Sequence, residues 1–433
     1  MPAALQDDIG ERAADVGREA NGSASHAVCY PAMPQVSRAE CESLDVRDPL
    51  AHVADEFVPG EPGWLYFDAN SIGAMPIGAH RAVGRLVDDW RRLRRRGWSD
   101  ADWLDAPVRL GNKLAPVLGA EPGSVVVCDS TSVNLYKALR MALALRPERE
   151  TILAEAGAFP TDLYVAEAAA RDHLAGGSLV RVPDANALAE SIDRDTAVVL
   201  VTHTDYRTSY RHDLPALATR ARNHDTLVVC DASHSAGAVE VGLANAGVDF
   251  AVGCGYKYLC GGPGAPAWLY VAPRHQAHAE AVIPGWMGHA DPMAMDPYYA
   301  PAPGAKRHLA GTPSVAGNTL MESALDLWKD IDPQAAFAKH TSLGNALINT
   351  IEDLPKPRPM LVTPRDPARR GGFISFRHPE AQTYVRALET AKIVASYRAP
   401  DIVRFGVSPL YHRYIDIWAL GERLRTLHTE RIQ

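Results

Sequence analysis

The chain has no long apolar run. No stretch approaches the roughly 18 apolar residues that a membrane-crossing helix requires. The opening MPAALQDDIGERAADVGREANGSASHA carries acidic groups and lacks the apolar centre of a secretion signal. The expectation is therefore a cytoplasmic protein with no membrane partner. Cysteine is sparse, at six in 433 residues: Cys29, Cys41, Cys128, Cys230, Cys254 and Cys260. They form no CxxC pair and no zinc-ligand spacing, which predicts scattered free thiols in a reducing compartment and no metal site. Positive charge is not in excess either. A formal net charge of −8 gives no general attraction for nucleic acid, so no nucleic-acid partner is expected. Internal repeats and low-complexity segments are absent. What is present, 47% hydrophobic and 22% charged residues, is the balance of a soluble globular protein long enough for one large core and a smaller second one.

Residues 1–45 mix charge, Ala, Gly and Ser without clear periodicity and read as a flexible N-terminal extension. Residues 46–100 are expected to contribute to a small domain and to the rim of the site. Within them VGRLVDDWRRLRRR (83–96) spaces Val83, Leu86, Val87, Trp90 and Leu93 as a helical stripe, with arginines in the last turns where a helix dipole favours cations. From residue 101 to 325 the pattern is that of a large domain. SVVVCD (124–129), ETILAEA (150–156), TAVVLVTHT (196–204), TLVVCD (226–231), FAVGC (250–254) and AWLYVA (267–272) read as buried strands. Helical periods such as VNLYKALRMALAL and LPALATRARNH lie between them. This alternation predicts an α/β fold with a mostly parallel central sheet flanked by helices. The stretch from Leu325 to Leu354 reads as helical, and residues 326–433 as a smaller α+β domain.

In open parallel sheets ligands sit at the carboxyl ends of strands. The first strand ends in CDSTSVNL, where Thr131 and Ser132 open a helix, an arrangement suited either to a phosphate or to plain helix capping. The strand TLVVCD ends in Asp231, with His234 three residues on. A buried carboxylate is costly unless paired, and its partner is a helix start, a cation, or the pyridinium nitrogen of a cofactor. The next strand delivers Lys257. A lysine in an apolar setting loses its proton readily and becomes a nucleophile for an aldehyde. Phosphate anchor, ring-nitrogen partner and reactive amine together form the constellation expected of a pyridoxal phosphate site.

FDANSIGAMP (67–76), DSTSVNL (129–135), FPTDLY (159–164), the run from Cys230 to Val271, GWMGHADP (285–292), GTPS (311–314), FRHP (376–379) and RAPDIVRFGVSPLY (398–411) together resemble the kynureninase family. The match runs in order from about residue 60 almost to the end. The resemblance implies an aminotransferase-like, fold type I enzyme of the aspartate aminotransferase superfamily, homodimeric, with pyridoxal 5'-phosphate in sites shared between subunits. It implies cleavage of the Cβ–Cγ bond of L-kynurenine, or of a 3-hydroxy or ring-methylated kynurenine, to an anthranilate and L-alanine through an external aldimine. By the same resemblance Lys257 bonds the cofactor, Asp231 meets the ring nitrogen and Phe159 stacks on the ring, with Asp162 nearby. Thr131, Ser132, Thr202, His234, Tyr256, Trp286 and Thr312 fall at other cofactor positions, the last two reaching the phosphate across the dimer interface. Arg404 falls where the substrate carboxylate is clamped, and Ser71, Trp98, Met287 and His289 where the substrate pocket lies. Tyr256 is either a proton donor or a phosphate ligand.

The chain departs from the family pattern at Met287, at Cys260, and at Asp205 and Ser209 in a THxxYxTG-like turn. These changes mark either a ring-substituted substrate or drift. A cysteine desulfurase or selenocysteine lyase shares the fold and the Asp–Lys pair, yet needs a late-chain cysteine, and none follows Cys260. A non-catalytic binding module would be expected to lose Lys257 or Asp231, and both are present.

Overall fold

The computed structural model describes residues 37–173 and 176–432. Thirteen strands occur among them: β1 (Leu65–Tyr66), β2 (Val125–Val127), β3 (Thr151–Glu155), β4 (Ser178–Val182), β5 (Thr196–Thr202), β6 (Leu227–Asp231), β7 (Phe250–Gly253), β8 (Trp268–Val271), β9 (Met360–Leu361), β10 (Phe373–Arg377), β11 (Ile393–Val394), β12 (Ser396–Arg398) and β13 (Ile402–Gly406). Seven form the large sheet in the order β2-β8-β7-β6-β5-β3-β4, parallel except for β8, which runs against both neighbours. All six strands expected in this domain are there. β4 was not expected, because this edge strand is largely solvent-exposed and carries no apolar run.

Alternation along each strand builds two cores, since successive side chains leave a strand on opposite faces. Val199, Val201, Val228 and Cys230 face one layer with the helix Ala106–Leu118, the helix Leu214–Asn223 and Met321. Val198, Leu200, Val229 and Val252 face the other, with the helices Thr131–Ala144 and Pro160–Arg171. Strands apolar on both faces are therefore sandwiched, which leaves their carboxyl ends as the open edge.

The smaller domain is an antiparallel sheet, β12-β13-β10-β9, covered by the helices Pro333–Glu352, Ala381–Thr390 and Tyr414–Ile432. The helical stretch expected from Leu325 to Leu354 is interrupted. Asp326–Asp330 is a 3-10 turn, and a new helix starts where Asp332 caps the N–H of Gln334 (3.0 Å) ahead of Pro333.

Residues 38–45 of the expected N-terminal extension are helical and packed. Arg38–Arg47 is a helix closed by a reciprocal Ser37/Glu40 capping box, and it buries Cys41 and Leu44 in the small-domain core. Residues 1–36 of that extension lie outside the described residues. The 46–100 segment divides: Phe67 and β1, which pairs with β11, join the small domain, while the helix Ile77–Leu93 packs on the helix Val315–Leu325. The packed face of that helix is built from Ala79, Ala82 and Leu93. Most of the expected stripe borders this face without being covered, with Val83, Val87 and Trp90 exposed at 40%, 54% and 68%.

Candidate active site

Three adjacent strands set the centre of the site. Thr202 ends β5, Asp231 ends β6, and the two are register partners, while Lys257 follows the end of β7. The helix Pro160–Arg171 begins beside them because Phe159 sits at its N-cap and Pro160 at its first turn, which puts Asp162 over the strand ends. Thr202 Oγ1 donates to Asp162 Oδ2 at 3.0 Å, and the Asp162 and Asp231 carboxyl groups bond each other. Burial, then the charge of Asp231, pushes the Asp162 carboxyl well above the usual range. Asp231 is itself buried and accepts the Ser233 N–H at 2.7 Å.

Lys257 Nζ lies 3.2 Å from His234 Nε2. Burial, then the cations Lys257 and Arg404, drives the His234 pKa far below its ordinary value, so the ring is neutral. Its bond to the Asn70 backbone leaves Nε2 to accept from the lysine. His234 also meets the Phe373 ring at 5.5 Å, and Phe373 lies under the Arg404 guanidinium, 5.2 Å away. Arg404 is wholly buried in β13. Its Nε and Nη2 both donate to Ser396 Oγ at 3.1 Å and Nη1 to the Tyr206 carbonyl at 2.7 Å. No carboxylate among the described residues lies within ion-pair distance of it. Asp68, whose charge acts on it, is pushed up by burial while bonding Ser396 and Ser71.

The Tyr206 ring stands edge-on to Phe159 at 5.3 Å and 85°. A continuous set of contacts thus runs from Lys257 through His234, Phe373, Arg404 and Tyr206 to Phe159, whose ring is 39% exposed and free to face a ligand. Tyr256 is half-buried beside the lysine, and burial followed by the neighbouring Cys254 pushes its phenol up, so it keeps its proton. Its carbonyl accepts the Gly73 N–H at 2.8 Å. Any Cβ at Gly73 would strike the Lys257 carbonyl and Cys260, so glycine there lets the 68–76 loop lie flat on the lysine loop. Thr131 and Ser132 are the first residues of a helix capped by Ser130, and both are half-buried.

Other expected positions stand apart from this cluster within the chain. Trp98 and Trp286 meet edge-to-face at 6.4 Å, and Trp98 meets Trp103 likewise at 5.9 Å. His289 is held between the carbonyls of Asp291 (2.8 Å) and Tyr298 (3.3 Å), and Thr312 is exposed just ahead of the helix Val315–Leu325. None of them hydrogen-bonds or stacks with Lys257, Asp231 or Phe159. Met287 is 1% exposed and belongs to the sheet core cluster that also holds Leu309.

Phe373 and Ser396 carry no local sequence signal, and Tyr206 and Asp68 lie inside the quoted motifs without an assigned role, because each acts through a partner remote in the chain. Tyr258, without an assigned role in the sequence, is fully buried and its hydroxyl donates to the Gly372 carbonyl, tying the lysine loop to the small domain. Cys260 is buried in the large core at φ 57°, with its thiol pushed up to about 12 by burial.

Comparison with known proteins extends the geometry. Residues 337–424 match the family described as Kynureninase C-terminal domain. Curated proteins named kynureninase match from Deinococcus radiodurans, 46% identical over 89% of this chain and 95% of the relative, and from Pseudomonas fluorescens, 41% identical over 90% and 95%. Among solved structures, C-DES with glycine covalently linked to its PLP cofactor superposes with a TM-score of 0.74 at 19% identity, covering 86% of this chain and 98% of that one. An apo cysteine desulfurase from Thermococcus onnurineus gives 0.73 at 18% identity, covering 87% and 98%. These last two establish the aminotransferase-like fold. By the identity to the curated relatives along nearly their whole length, the chain belongs to the kynureninase family.

Proposed function

We propose that this chain is a hydrolase that cleaves the Cβ–Cγ bond of L-kynurenine or a ring-substituted kynurenine, releasing an anthranilate and L-alanine with pyridoxal 5'-phosphate as cofactor. The donor set suits that cofactor. Asp231 offers a buried carboxylate to a protonated ring nitrogen, and Phe159 an exposed ring face. Lys257 offers an amine to the aldehyde, and Thr131 with Ser132 a helix start to the phosphate. Among the described buried polar atoms, Ser233 Oγ, next to Asp231, has no partner. Bound there, the cofactor supplies an electron sink for charge developing on the substrate.

The carrying observation is Arg404: a wholly buried guanidinium with no carboxylate beside it, linked through Phe373 and His234 to the reactive lysine. A buried cation without an anion is costly, and an α-carboxylate offsets that cost. The residues then divide the work. Lys257 would take the α-proton on its amine. His234 holds that amine in place, and Asp231 keeps the ring nitrogen protonated. Tyr256, protonated and beside the lysine, donates a proton or holds phosphate. Water adds to the side-chain ketone, the Cβ–Cγ bond breaks to release the anthranilate carboxylic acid, and the Cβ left with the electron pair takes a proton to give L-alanine.

A homodimer accounts for the remaining positions. Trp286 and Thr312 stand apart from Lys257 within one chain, and the exposed stripe of Val83, Val87 and Trp90 is an apolar face of the kind a second copy covers. A desulfurase reading finds no support in the thiols, since all five described cysteines are buried. No helix of the described residues is long and apolar enough to cross a membrane. The buried free thiols fit the reducing cytoplasm. Met287 and Cys260, the departures that pointed to a substituted ring, are both packed inside the chain, so no ring substituent is singled out.

The deciding experiment incubates the holoenzyme with kynurenine, 3-hydroxykynurenine and a 4-methylated kynurenine, following anthranilate fluorescence and alanine release. Cleavage of at least one with stoichiometric alanine is expected. A holoenzyme with its cofactor absorbance intact that yields neither product from any of the three overturns the assignment.

A further inference from the structure

Between β5 and the helix Leu214–Asn223 the chain makes a turn that Asp205 closes on itself. Asp205 Oδ1 accepts the N–H of Arg207 (3.1 Å), the N–H of Thr208 (2.7 Å) and the Thr208 hydroxyl (2.6 Å). Its carbonyl accepts the Ser209 N–H at 2.9 Å. Ser209 ends the turn at φ 60°, a left-handed conformation that a non-glycine residue adopts at a cost, and its hydroxyl accepts the Phe373 N–H at 3.3 Å.

The result is a row of carbonyls aimed at the other domain. Tyr206 O accepts from Arg404 Nη1 (2.7 Å), Arg207 O from Ser375 Oγ (2.6 Å), Thr208 O from Thr363 Oγ1 (2.8 Å) and Ser209 O from the Gly371 N–H (2.8 Å). Four successive carbonyls of a large-domain turn thus each take a small-domain donor, the last of them within an isolated antiparallel bridge of Tyr210 with Arg370. Ser209, Thr363, Ser375 and Arg404 are all buried, so a donor here that loses its acceptor stays unsatisfied. The first bond of the row also fixes the carboxylate clamp, and the Tyr206 that accepts it braces Phe159 with its ring.

We propose that Asp205 is a positioning residue: by holding the 205–209 turn it latches the small domain to the large one and sets the Arg404 guanidinium for a carboxylate ligand. The proposal rests on the reading of Arg404 given above. A side chain that only filled space would be replaced adequately by any residue that preserves packing. A latch requires an acceptor at Oδ1.

The test compares Asp205→Ala with Asp205→Asn, which keeps that acceptor, in the holoenzyme. L-alanine and ethylamine, its analogue without a carboxylate, are titrated and followed by the cofactor's visible band. Losing hydrogen bonds at this turn in Asp205→Ala is expected to weaken L-alanine about tenfold and ethylamine by less than about twofold, with Asp205→Asn close to the parent for both. In the apoprotein, hydrogen exchange at the Gly371 amide is expected to quicken about tenfold in Asp205→Ala, with the amides of β5 unchanged. Equal weakening of both ligands, no weakening of either, an unaltered Gly371 amide, or Asp205→Asn failing as badly as Asp205→Ala would each overturn the latch. None of these readings uses kynurenine, so a parent enzyme inert toward kynurenines removes the proposed substrate and leaves the latch to be judged on the L-alanine contrast.

Discussion

The Lys257 amine sits 3.2 Å from His234 Nε2, and the two residues leave neighbouring strands of the large sheet. Two cations at that distance would repel strongly, and the structure avoids the conflict by keeping the imidazole neutral through burial. The amine therefore has an acceptor for its proton and is held toward the strand ends where an aldehyde would lie.

Replacing that amine gives the first prediction. Lys257→Ala is expected to fold and to lose at least about 10³-fold in turnover, since both the covalent attachment and the proton transfer depend on the amine. Visible spectra and anthranilate fluorescence check it. A variant with appreciable turnover refutes the mechanism.

Arg404→Lys keeps the charge and removes the planar fork. A lysine ammonium cannot serve Ser396, the Tyr206 carbonyl and a bidentate carboxylate at once, and it loses the stacking over Phe373. The expected outcome is a fall of about 10²-fold in kcat/KM, chiefly through KM. Steady-state kinetics with kynurenine measure it, and an unchanged KM contradicts the carboxylate role.

Asp162 yields a pH signature. Its carboxyl titrates well above the ordinary range in the fold because of burial and the adjacent Asp231. The unfolded chain releases that proton near 3.9 and the folded chain holds it, so the folded form binds more protons and this group makes stability fall as pH rises. Asp162→Asn imitates the protonated acid and removes the dependence. Urea midpoints of the apoprotein between pH 5 and 8 are expected to fall less for the variant than for the parent, so the variant's relative stability grows with pH. Parallel curves contradict a raised Asp162 carboxyl.

Much of the centre is legible in the sequence because the signals are local. A buried strand ending in aspartate and the next delivering a lysine can be recognised within a few residues each, and the sheet follows from short apolar runs. The links between them are not legible: Arg404 reaches the Tyr206 carbonyl across 198 residues, through backbone that has no side-chain signature. The helix Arg38–Arg47 was missed because its surface is polar, although its Ser37/Glu40 capping box is written in the chain. The stripe of Val83, Val87 and Trp90 shows a different limit, since helical spacing reveals an apolar face without revealing whose surface covers it.

The junction of the N-terminal segment with the small domain depends on an ion pair. Lys339 Nζ lies 2.7 Å from Asp48 Oδ2, both side chains fully buried, and Asp48 Oδ1 accepts the Leu50 N–H at 2.9 Å. Taking the cation away leaves a buried carboxylate without its counter-charge, so Lys339→Met is expected to cost about 3–5 kcal/mol. Converting both partners, as Asp48→Leu with Lys339→Met, is expected to recover more than half of that loss. Denaturant unfolding of the single and double variants decides the point, and a double variant as unstable as the single one contradicts it.

The exposed face of the helix Ile77–Leu93 supplies the last test. Val83, Val87 and Trp90 lie four and three residues apart and so share one side, next to the buried strip of Ala79, Ala82 and Leu93 on a helix that packs on the helix Val315–Leu325. That second helix follows directly on Thr312, so an assembly built on this face would form close to a position expected to reach the neighbouring site. A charge placed there must be desolvated whenever a second copy covers it, and a pair of copies related by a two-fold axis brings in two such charges. Trp90→Glu combined with Val87→Glu is therefore expected to yield monomers, read as a halved mass in light scattering. Far-ultraviolet circular dichroism should stay unchanged, because both side chains are already in water within the chain. If the site is shared, turnover falls with the monomer fraction and returns as protein concentration rises. A double variant that keeps the parent mass, or monomers that keep full turnover, would separate this face from the active site.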